Sequence, residues 1–406
     1  MWNWILAAVA ALGLVGGAAA AEPLAKPAGP TILISIDGGR ADYLDRGVTP
    51  TLSALAKTGV RAAMRPSFPS LTFPNHYTLV TGLTPDHHGI VANNFIDAAI
   101  QPQPFRIGDN EAVSDRRWWD VAEPIWVTAE KAGLKTGAFF WPGSEARIGG
   151  VRPSLWAHFD AAIKPEHRVD VVLDWLNLSA AKRPSFITLY FDAVDHADHV
   201  YGPDAPEVNA ALAETDHAIA RLVEGLKARG LYDKTNLVIV ADHGMTAVSR
   251  ERTVVLEAEM GPVEGTVVGG GPLLMIEPPA DHAAEVAALL KPRAHVDCRR
   301  KADFVKTFGY GSNPRILAIV CVAEPGWMVF AKPPKGEFDE KGAHGFDPAN
   351  KDMAALFIAH GPAFAEGATL PSFPNVDVYP LLAKTLGLAP RAVDGRLEDV
   401  KGALRP

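Results

Sequence analysis

Short apolar runs alternate along the chain with stretches whose apolar positions recur at helical spacing. The first run, Thr31 to Ile36, is a continuous block of β-branched and aliphatic residues, the pattern of a buried parallel strand. Asp37 stands at its C-terminal end. The pattern recurs at Ser185 to Tyr190, followed by FDAVDHADH, and at Asn236 to Ala241, which delivers Asp242 and His243 into the turn HGM. Helical spacing predicts helices over Pro50 to Gly59, Glu207 to Gly230 and Asp377 to Leu386. In the long one, Leu212, Ala220, Leu222 and Leu226 form the apolar stripe and a glycine closes the end, with Asp216 and His217 expected as exposed or capping residues. From about Val254 to Lys335 the texture changes to Gly- and Pro-rich turns around short runs such as PRILAIVCV and GWMVF, which predicts an inserted α+β subdomain with an antiparallel element.

Strands alternating with helices predict an α/β fold with a mostly parallel sheet, and in open α/β sheets ligands gather beyond the carboxyl ends of the strands. Here three strand ends each lead directly into acidic residues, two of them with histidines alongside.

The opening residues carry an apolar run that ends in Ala-Ala-Ala-Glu-Pro, which predicts a secretory signal over residues 1–21 and an exported, periplasmic or secreted, protein. A single membrane anchor is the competing reading of the same run. No other stretch is long and apolar enough to span a bilayer, so no stable membrane insertion is expected once the signal is removed. Residues 22–406 then suit one large α/β domain carrying the insertion at about 254–335. A formal net charge of -8 without Lys/Arg clusters argues against a nucleic-acid-binding surface and leaves a small phosphate ester, held locally, as the compatible anion. Cys298 and Cys321 have no zinc-type spacing. In an exported protein they could form one disulfide, with two buried free thiols as the alternative.

The chemistry concentrates in seven residues: Asp37, Thr72, Asp195, His199, Asp242, His243 and His344. Apart from Thr72 they are oxygen and imidazole donors with no thiolate, the set expected for hydrolytic divalent metal ions rather than a structural zinc. Thr72 precedes Phe-Pro and a segment of helix-forming length, so it is expected near a helix N-terminus, where backbone N–H groups favour an anion. A threonine hydroxyl is a poor nucleophile until a metal lowers its pKa. Asp192 and His196 repeat the D-x-x-x-H spacing of Asp195 and His199 three residues earlier, and His76, His87 and His88 invite a metal assignment, but structural hydrogen bonding is the simpler reading of those three.

TFPNHYTLVTGLTPDHHGIVANNF, the DxxxHxYGP string at 195–203, ADHGM at 241–245 and HGFD at 344–347 occur in this order. Together they resemble the nucleotide pyrophosphatase/phosphodiesterase family, a branch of the alkaline phosphatase superfamily, over about Thr31 to Leu388. The resemblance implies an alkaline-phosphatase-like core sheet and two Zn2+ per chain, one held by Asp195, His199 and His344, the other by Asp37, Asp242 and His243. It implies a covalent nucleotidyl intermediate on Thr72, with Asn93 and the backbone N–H of Phe73 meeting a non-bridging oxygen. It also implies stacking of a nucleobase on Phe73 and Tyr190, although both could equally be core aromatics. The preference for Asp195 and His199 over Asp192 and His196 rests on the Val-Tyr-Gly-Pro that follows His199.

The expected partner is a small nucleotide or other phosphodiester, cleaved to a nucleoside 5'-monophosphate. A lipid head-group diesterase of the choline type and a phosphomonoesterase of the same superfamily are the alternatives. A zinc-bound but non-catalytic binding protein is the reading from a different class, and binding alone does not require a nucleophile at the position of Thr72. Trp118, Trp119, Trp126, Trp141 and Trp156 are expected mostly in the core. Oligomeric state is not encoded in any of these patterns.

Overall fold

Six residues from Thr31 to Ile36, all buried, form the central strand β1, flanked on both sides by parallel neighbours. A computed structural model describes residues 29–100, 102–334 and 339–406, so the expected N-terminal signal lies outside the described residues. Besides β1, the main sheet contains β2 (Val60–Arg65), β3 (Thr136–Phe139), β4 (Leu155–Trp156), β5 (Phe186–Phe191), β6 (Asn236–Val240), β7 (Ala355–His360), β8 (Ala368–Thr369) and β9 (Phe373–Pro374). Their order is β8-β2-β7-β6-β1-β5-β3-β4, with β9 also pairing β2. Only β7 runs against its neighbours β2 and β6; every other pairing is parallel. This is the mostly parallel sheet that the alternating pattern predicted, in the alkaline-phosphatase-like form that the resemblance implied. Its central strands are buried on both faces because helices cover both, which is why their sequences lack polar alternation.

The helices that matter for the site are α1 (Pro50–Thr58), α2 (Thr72–Thr81), α3 (Pro165–Leu176), α4 (Ala193–Tyr201), α5 (Pro206–Ala228) and α6 (Val378–Thr385). Along α5 the buried positions Val208, Leu212, Thr215, Ile219, Leu222 and Leu226 recur at three and four residues, so Ile219 rather than Ala220 carries the middle of the stripe. Asp216 is buried on the same helix. Its carboxylate accepts from the backbone N–H groups of Thr51 (3.1 Å) and Leu52 (2.8 Å), so it caps the N-terminus of α1 rather than its own helix. Thr49, the residue at the conventional capping position of α1, makes no side-chain cap. The donors at that helix end are satisfied across a tertiary contact instead.

A second, four-stranded antiparallel sheet is built from Thr266–Gly269, Leu273–Glu277, Ile319–Ala323 and Val296–Arg300, in that spatial order. Alternation splits its residues between two cores. Leu273, Met275, Val320 and Val322 pack on the main core, while Leu274, Ile276, Ile319 and Cys321 face a smaller separate one. Cys298 and Cys321 are direct cross-strand partners and are joined by a disulfide within that smaller core. Asp86, at the start of a helical turn after α2, fastens this region to the main domain. It accepts from the N–H groups of Gly311 (2.8 Å), Ser312 (2.9 Å) and Asn313 (3.0 Å), and from the Ser312 hydroxyl. Among the described residues no helix is long and apolar enough to cross a membrane.

Replacing Asp216 by Ala removes the side-chain acceptor of the Thr51 and Leu52 N–H groups. An expected loss of about 1–2 kcal/mol should appear as a lower urea midpoint with an unchanged m-value. An unaltered midpoint would remove the cross-helix cap as a source of stability.

Candidate active site

Strands β1 and β6 end in polar side chains of one cluster, and β5 leads into α4, which adds two more. Asp37 follows β1, and its backbone N–H is held by the Phe191 carbonyl at 2.9 Å. Gly38 follows with φ +69, and a Cβ there would come within 3.0–3.3 Å of the Asp195 backbone and Cβ, so the glycine permits the close approach of these two segments. Asp242 and His243 follow β6, and Asp242 Oδ1 accepts from the Gly38 N–H at 3.3 Å. Asp195 lies in the first turn of α4 and His199 in its last, a separation of four that places both on one helix face. His344 arrives on the segment after Gly342–Ala343, which pairs with Thr246–Ala247.

The donor atoms converge. His243 Nε2 lies 3.0 Å from Asp242 Oδ2 and 3.5 Å from Asp37 Oδ1, and Asp195 Oδ1 lies 3.5 Å from His199 Nε2 and 3.7 Å from His344 Nε2. Donors bound at about 2.0–2.1 Å in a tetrahedral site are about 3.3 Å apart, so these separations suit shared cations. The compact trios are Asp37–Asp242–His243 and Asp195–His243–His344, each with ligand atoms within 4.8 Å of one another. His243 therefore stands between the two groups, and His199 joins the second through Asp195. Asp37 Oδ1 and Asp195 Oδ1 are buried without a hydrogen-bond partner. All three imidazoles turn Nδ1 to a backbone carbonyl: His199 to Gly342 (2.9 Å), His243 to Gly244 (2.9 Å) and His344 to Ser70 (3.0 Å). Donation from Nδ1 fixes the tautomer and leaves Nε2 as a ligand, the arrangement typical of metal-binding histidines. The donor set thus fits divalent cations.

Electrostatics point the same way. Burial, reinforced by Asp242 and Asp195, pushes the Asp37 carboxyl well above the usual range, and burial also raises Asp195. Burial opposes ionisation of Asp242, but His243 and His76 outweigh it and hold that carboxyl well below the usual range. Burial, with His243 and His199 nearby, drives His344 well below its ordinary value. Crowded carboxylates in a low-dielectric site are relieved by a cation.

Thr72 opens α2, and its hydroxyl lies 3.2 Å from His243 Nε2. His76, one turn later, is not among the donors. Its Nδ1 lies 2.9 Å from the Thr72 carbonyl and 3.3 Å from Asp242 Oδ2, and its Nε2 lies 2.8 Å from the Ser35 hydroxyl, so it ties the start of α2 to β1 and to Asp242. His88 is buried among Thr78, the Pro74 carbonyl and the Ile90 N–H, whereas His87 is exposed and pairs with Asp394. The alternative D-x-x-x-H pair stays outside the cluster: Asp192 makes an ion pair with the buried Arg168 at 2.7 Å, and His196 is exposed. The Asp192 carboxylate is thus engaged by Arg168 and not by an imidazole. Asn93 Oδ1 accepts from the Phe73 N–H at 2.9 Å, so that N–H positions Asn93 instead of pointing at a ligand, and the amide NH2 is the end of Asn93 left for one.

Beside Thr72 lies a cavity of about 380 Å³ that also reaches Asp37 and Asp195. Phe73, Phe140, Trp141, Phe159 and Tyr190 form its aromatic wall. The Tyr190 hydroxyl donates to Asp37 Oδ2 at 2.5 Å, while Phe159 packs edge-on against the Tyr190 ring and is 43% exposed. Phe159 is the residue that sequence reasoning missed. It sits in a loop without periodicity, and nothing in its neighbourhood marks it. The loop is held by Glu145, which accepts from the Phe159 N–H (2.9 Å) and pairs with His158 (2.6 Å). Arg168 lies over the rings of Phe140 (5.2 Å) and Phe159 (5.9 Å). Phe140 adopts φ 61, an uncommon conformation for a bulky residue, immediately after β3 where the chain turns into this wall. Trp118, Trp119 and Trp126 are core residues, as expected.

Residues 31–347 match the family model for type I phosphodiesterase/nucleotide pyrophosphatase. The chain is 36% identical over 377 residues to ectonucleotide pyrophosphatase/phosphodiesterase family member 1 of Rattus norvegicus, covering 89% of this chain and 41% of that protein. An uncharacterized pyrophosphatase/phosphodiesterase of Schizosaccharomyces pombe is 36% identical over 382 residues, covering 90% of this chain and 79% of that protein. The chain thus spans about two fifths of the length of the rat relative. Among solved structures, murine ectonucleotide pyrophosphatase/phosphodiesterase 5, in an inactive form in complex with AMP, superimposes with a TM-score of 0.88 at 31% identity, covering 93% of this chain and all of that one.

The buried support of α2 has a pH signature. Burial lowers His88 from its ordinary 6.5 to about 3. The unfolded chain therefore takes up this proton first as pH falls, so the stability tied to neutral His88 is complete above pH 6.5 and declines toward pH 3. Between pH 7.5 and 5.5 the wild type should lose about 1.4 kcal/mol more unfolding free energy than His88→Gln, as read by urea titration. Equal losses would mean that this imidazole is not held neutral.

Proposed function

Because the chain belongs to the type I phosphodiesterase/nucleotide pyrophosphatase family, we propose that it hydrolyses nucleotide phosphodiester or phosphoanhydride bonds and releases nucleoside 5'-monophosphates by way of a covalent intermediate on Thr72. The observation that carries this reading is the Thr72 hydroxyl at a helix N-terminus, 3.2 Å from His243 Nε2, beside buried carboxylate oxygens that lack hydrogen-bond partners. Asp37, Asp242 and His243 would hold one zinc ion and Asp195, His199 and His344 a second. When bound, these ions would neutralise phosphate charge and lower the pKa of the Thr72 hydroxyl.

In the first step Thr72 Oγ1 gives up its proton to solvent and forms a bond to phosphorus as the leaving-group oxygen departs in line and takes up a proton, giving a threonine-linked phosphodiester. Water then attacks phosphorus from the vacated side and breaks the bond to Thr72, which regains its proton. Two inversions predict net retention at phosphorus. The Asn93 amide, positioned by the Phe73 N–H, is suited to donate to a non-bridging oxygen, a placement worth most where donors are fixed in advance. His76 keeps the first turn of α2 in register with Asp242.

The nucleobase side of this reading rests on the aromatic cavity. Phe73 and the exposed Phe159 offer π faces to a base, while Tyr190 serves twice, lining the cavity with its ring and binding Asp37 with its hydroxyl. The same reading takes residues 22–406 as one catalytic domain with about 254–335 inserted, exported behind a signal over 1–21. The names of the relatives support export, since they include an ectoenzyme and a venom phosphodiesterase of Crotalus durissus collilineatus.

The test uses the p-nitrophenyl ester of thymidine 5'-monophosphate against p-nitrophenyl phosphate, with zinc content measured in parallel. The wild type should prefer the nucleotide diester. Thr72→Ala should lower kcat/KM by at least about a thousandfold while binding the same amount of zinc. Undiminished turnover in that variant would exclude Thr72 as the nucleophile, and preference for the monoester would move the protein to phosphomonoester hydrolysis.

A further inference from the structure

A second cavity, of about 310 Å³, meets the cluster from the other end, at His199 and His344, and shares no lining residue with the aromatic one. Asn93 and Leu71 stand on its main-domain side. Gly269–Gly271 and Phe330 close it from the other, and Glu340 lies at its edge. It continues past Asn94, Gly270 and Phe330 into an outer hollow of about 630 Å³. In an in-line displacement the leaving oxygen departs opposite the nucleophile, so a group leaving away from Thr72 would enter this groove.

Three glycines in a row suggest a phosphate cradle, but their hydrogen bonds exclude one. The Gly270 N–H is committed to the Leu273 carbonyl (2.9 Å) and the Gly271 N–H to the Val329 carbonyl (2.9 Å), which leaves only Gly269, in the non-hydrogen-bonded pair with Leu274 on the edge strand, with an N–H outside the ladder. A phosphate-binding turn needs those N–H groups free. What the glycines provide is flatness: a Cβ on Gly270 would lie 2.8 Å from the Phe330 ring, so backbone and ring are layered together. Charge agrees. Among the described residues no Lys or Arg side chain lines the inner cavity, where the charged carboxylate is that of Glu340, and Arg106 is confined to the outer hollow. Beyond the Asn93 amide, a polyphosphate would face a carboxylate and no run of free N–H groups there.

We infer that this groove receives the leaving half of the substrate and is built for an uncharged organic alcohol such as a nucleoside rather than for a polyphosphate chain; the inference rests on the phosphodiesterase reading above. The wall is rigid enough to discriminate. Asp86 fastens residues 311–313, and the buried Arg315 donates to the carbonyls of Gly89 (2.7 Å) and Trp118 (2.8 Å), locking the antiparallel sheet to the main domain.

The experiment compares kcat/KM for a dinucleoside monophosphate and for ATP, which donate the same adenylyl group to Thr72 and differ in what leaves, in wild type and in Glu340→Lys. Glu340 is exposed, so the variant should fold. The dinucleoside monophosphate should be preferred by at least about tenfold, and Glu340→Lys should narrow that ratio by about threefold or more by favouring the anionic leaving group. ATP used equally well or better, or a ratio that Glu340→Lys does not move, would overturn the inference. Hydrolysis of the p-nitrophenyl ester of thymidine 5'-monophosphate is measured on the same samples. If it proceeds, a failed ratio counts against the groove alone; if it does not, the phosphodiesterase reading falls and takes the inference with it.

Discussion

Asp37, Asp195 and Asp242 lie side by side at the carboxyl ends of the strands, largely out of water, and the surrounding structure answers to that constraint. Carboxylates so placed repel one another and lose hydration. The fold does not pair them with Lys or Arg. Instead it fixes one oxygen of Asp37 with the Tyr190 hydroxyl and one oxygen of Asp242 with the Gly38 N–H, and leaves the second oxygen of Asp37 directed at the cluster. Neighbouring Asp198 shows the same economy on the far side of α4: one oxygen accepts from the Tyr43 hydroxyl at 2.8 Å, and burial pushes its pKa to about 8. A site assembled in this way is incomplete without positive charge, and the three imidazoles, turned by backbone carbonyls so that Nε2 faces inward, are arranged to share it.

Backbone carries most of the positioning. Each imidazole is aimed by a carbonyl, Asn93 is aimed by the Phe73 N–H, and His76, held at the Thr72 carbonyl, ties the first turn of α2 to Ser35 and Asp242. Backbone groups held in strands and helix ends have little freedom left to lose, so the side chains they direct are organised before any substrate arrives. The aromatic cavity is steadied differently, by Glu145 and Arg168 acting on one loop.

Much of this was legible in the residues. Strands buried on both faces announce themselves as unbroken apolar runs, and the ligand-type residues that follow β1, β5 and β6 are adjacent to them in sequence, so fold class and most of the polar cluster could be read locally. His344 and Thr72 were accessible only through their resemblance to family motifs, because nothing in their own spacing joins them to the strand ends. What escaped has no local pattern. Asp216 caps a helix more than 150 residues away in sequence, reading as an ordinary polar residue on its own helix. Phe159 sits in an aperiodic loop, and the bond that takes the Phe73 N–H away from a ligand is made by Asn93 across a tertiary contact. Periodicity reports which face of an element is buried and says nothing of which distant group meets it.

The antiparallel sheet has one face on the main core and the other on a small core of its own, closed by the Cys298–Cys321 bond. Residues on its outer face can therefore change together without disturbing the strands that present Asp37, Asp195 and Asp242. Substitutions confined to the small core need not be compensated at the strand ends. A lineage carrying this architecture is free to diversify in the small core while the strand ends stay constant, so differences among such proteins should accumulate on this outer face faster than around β1.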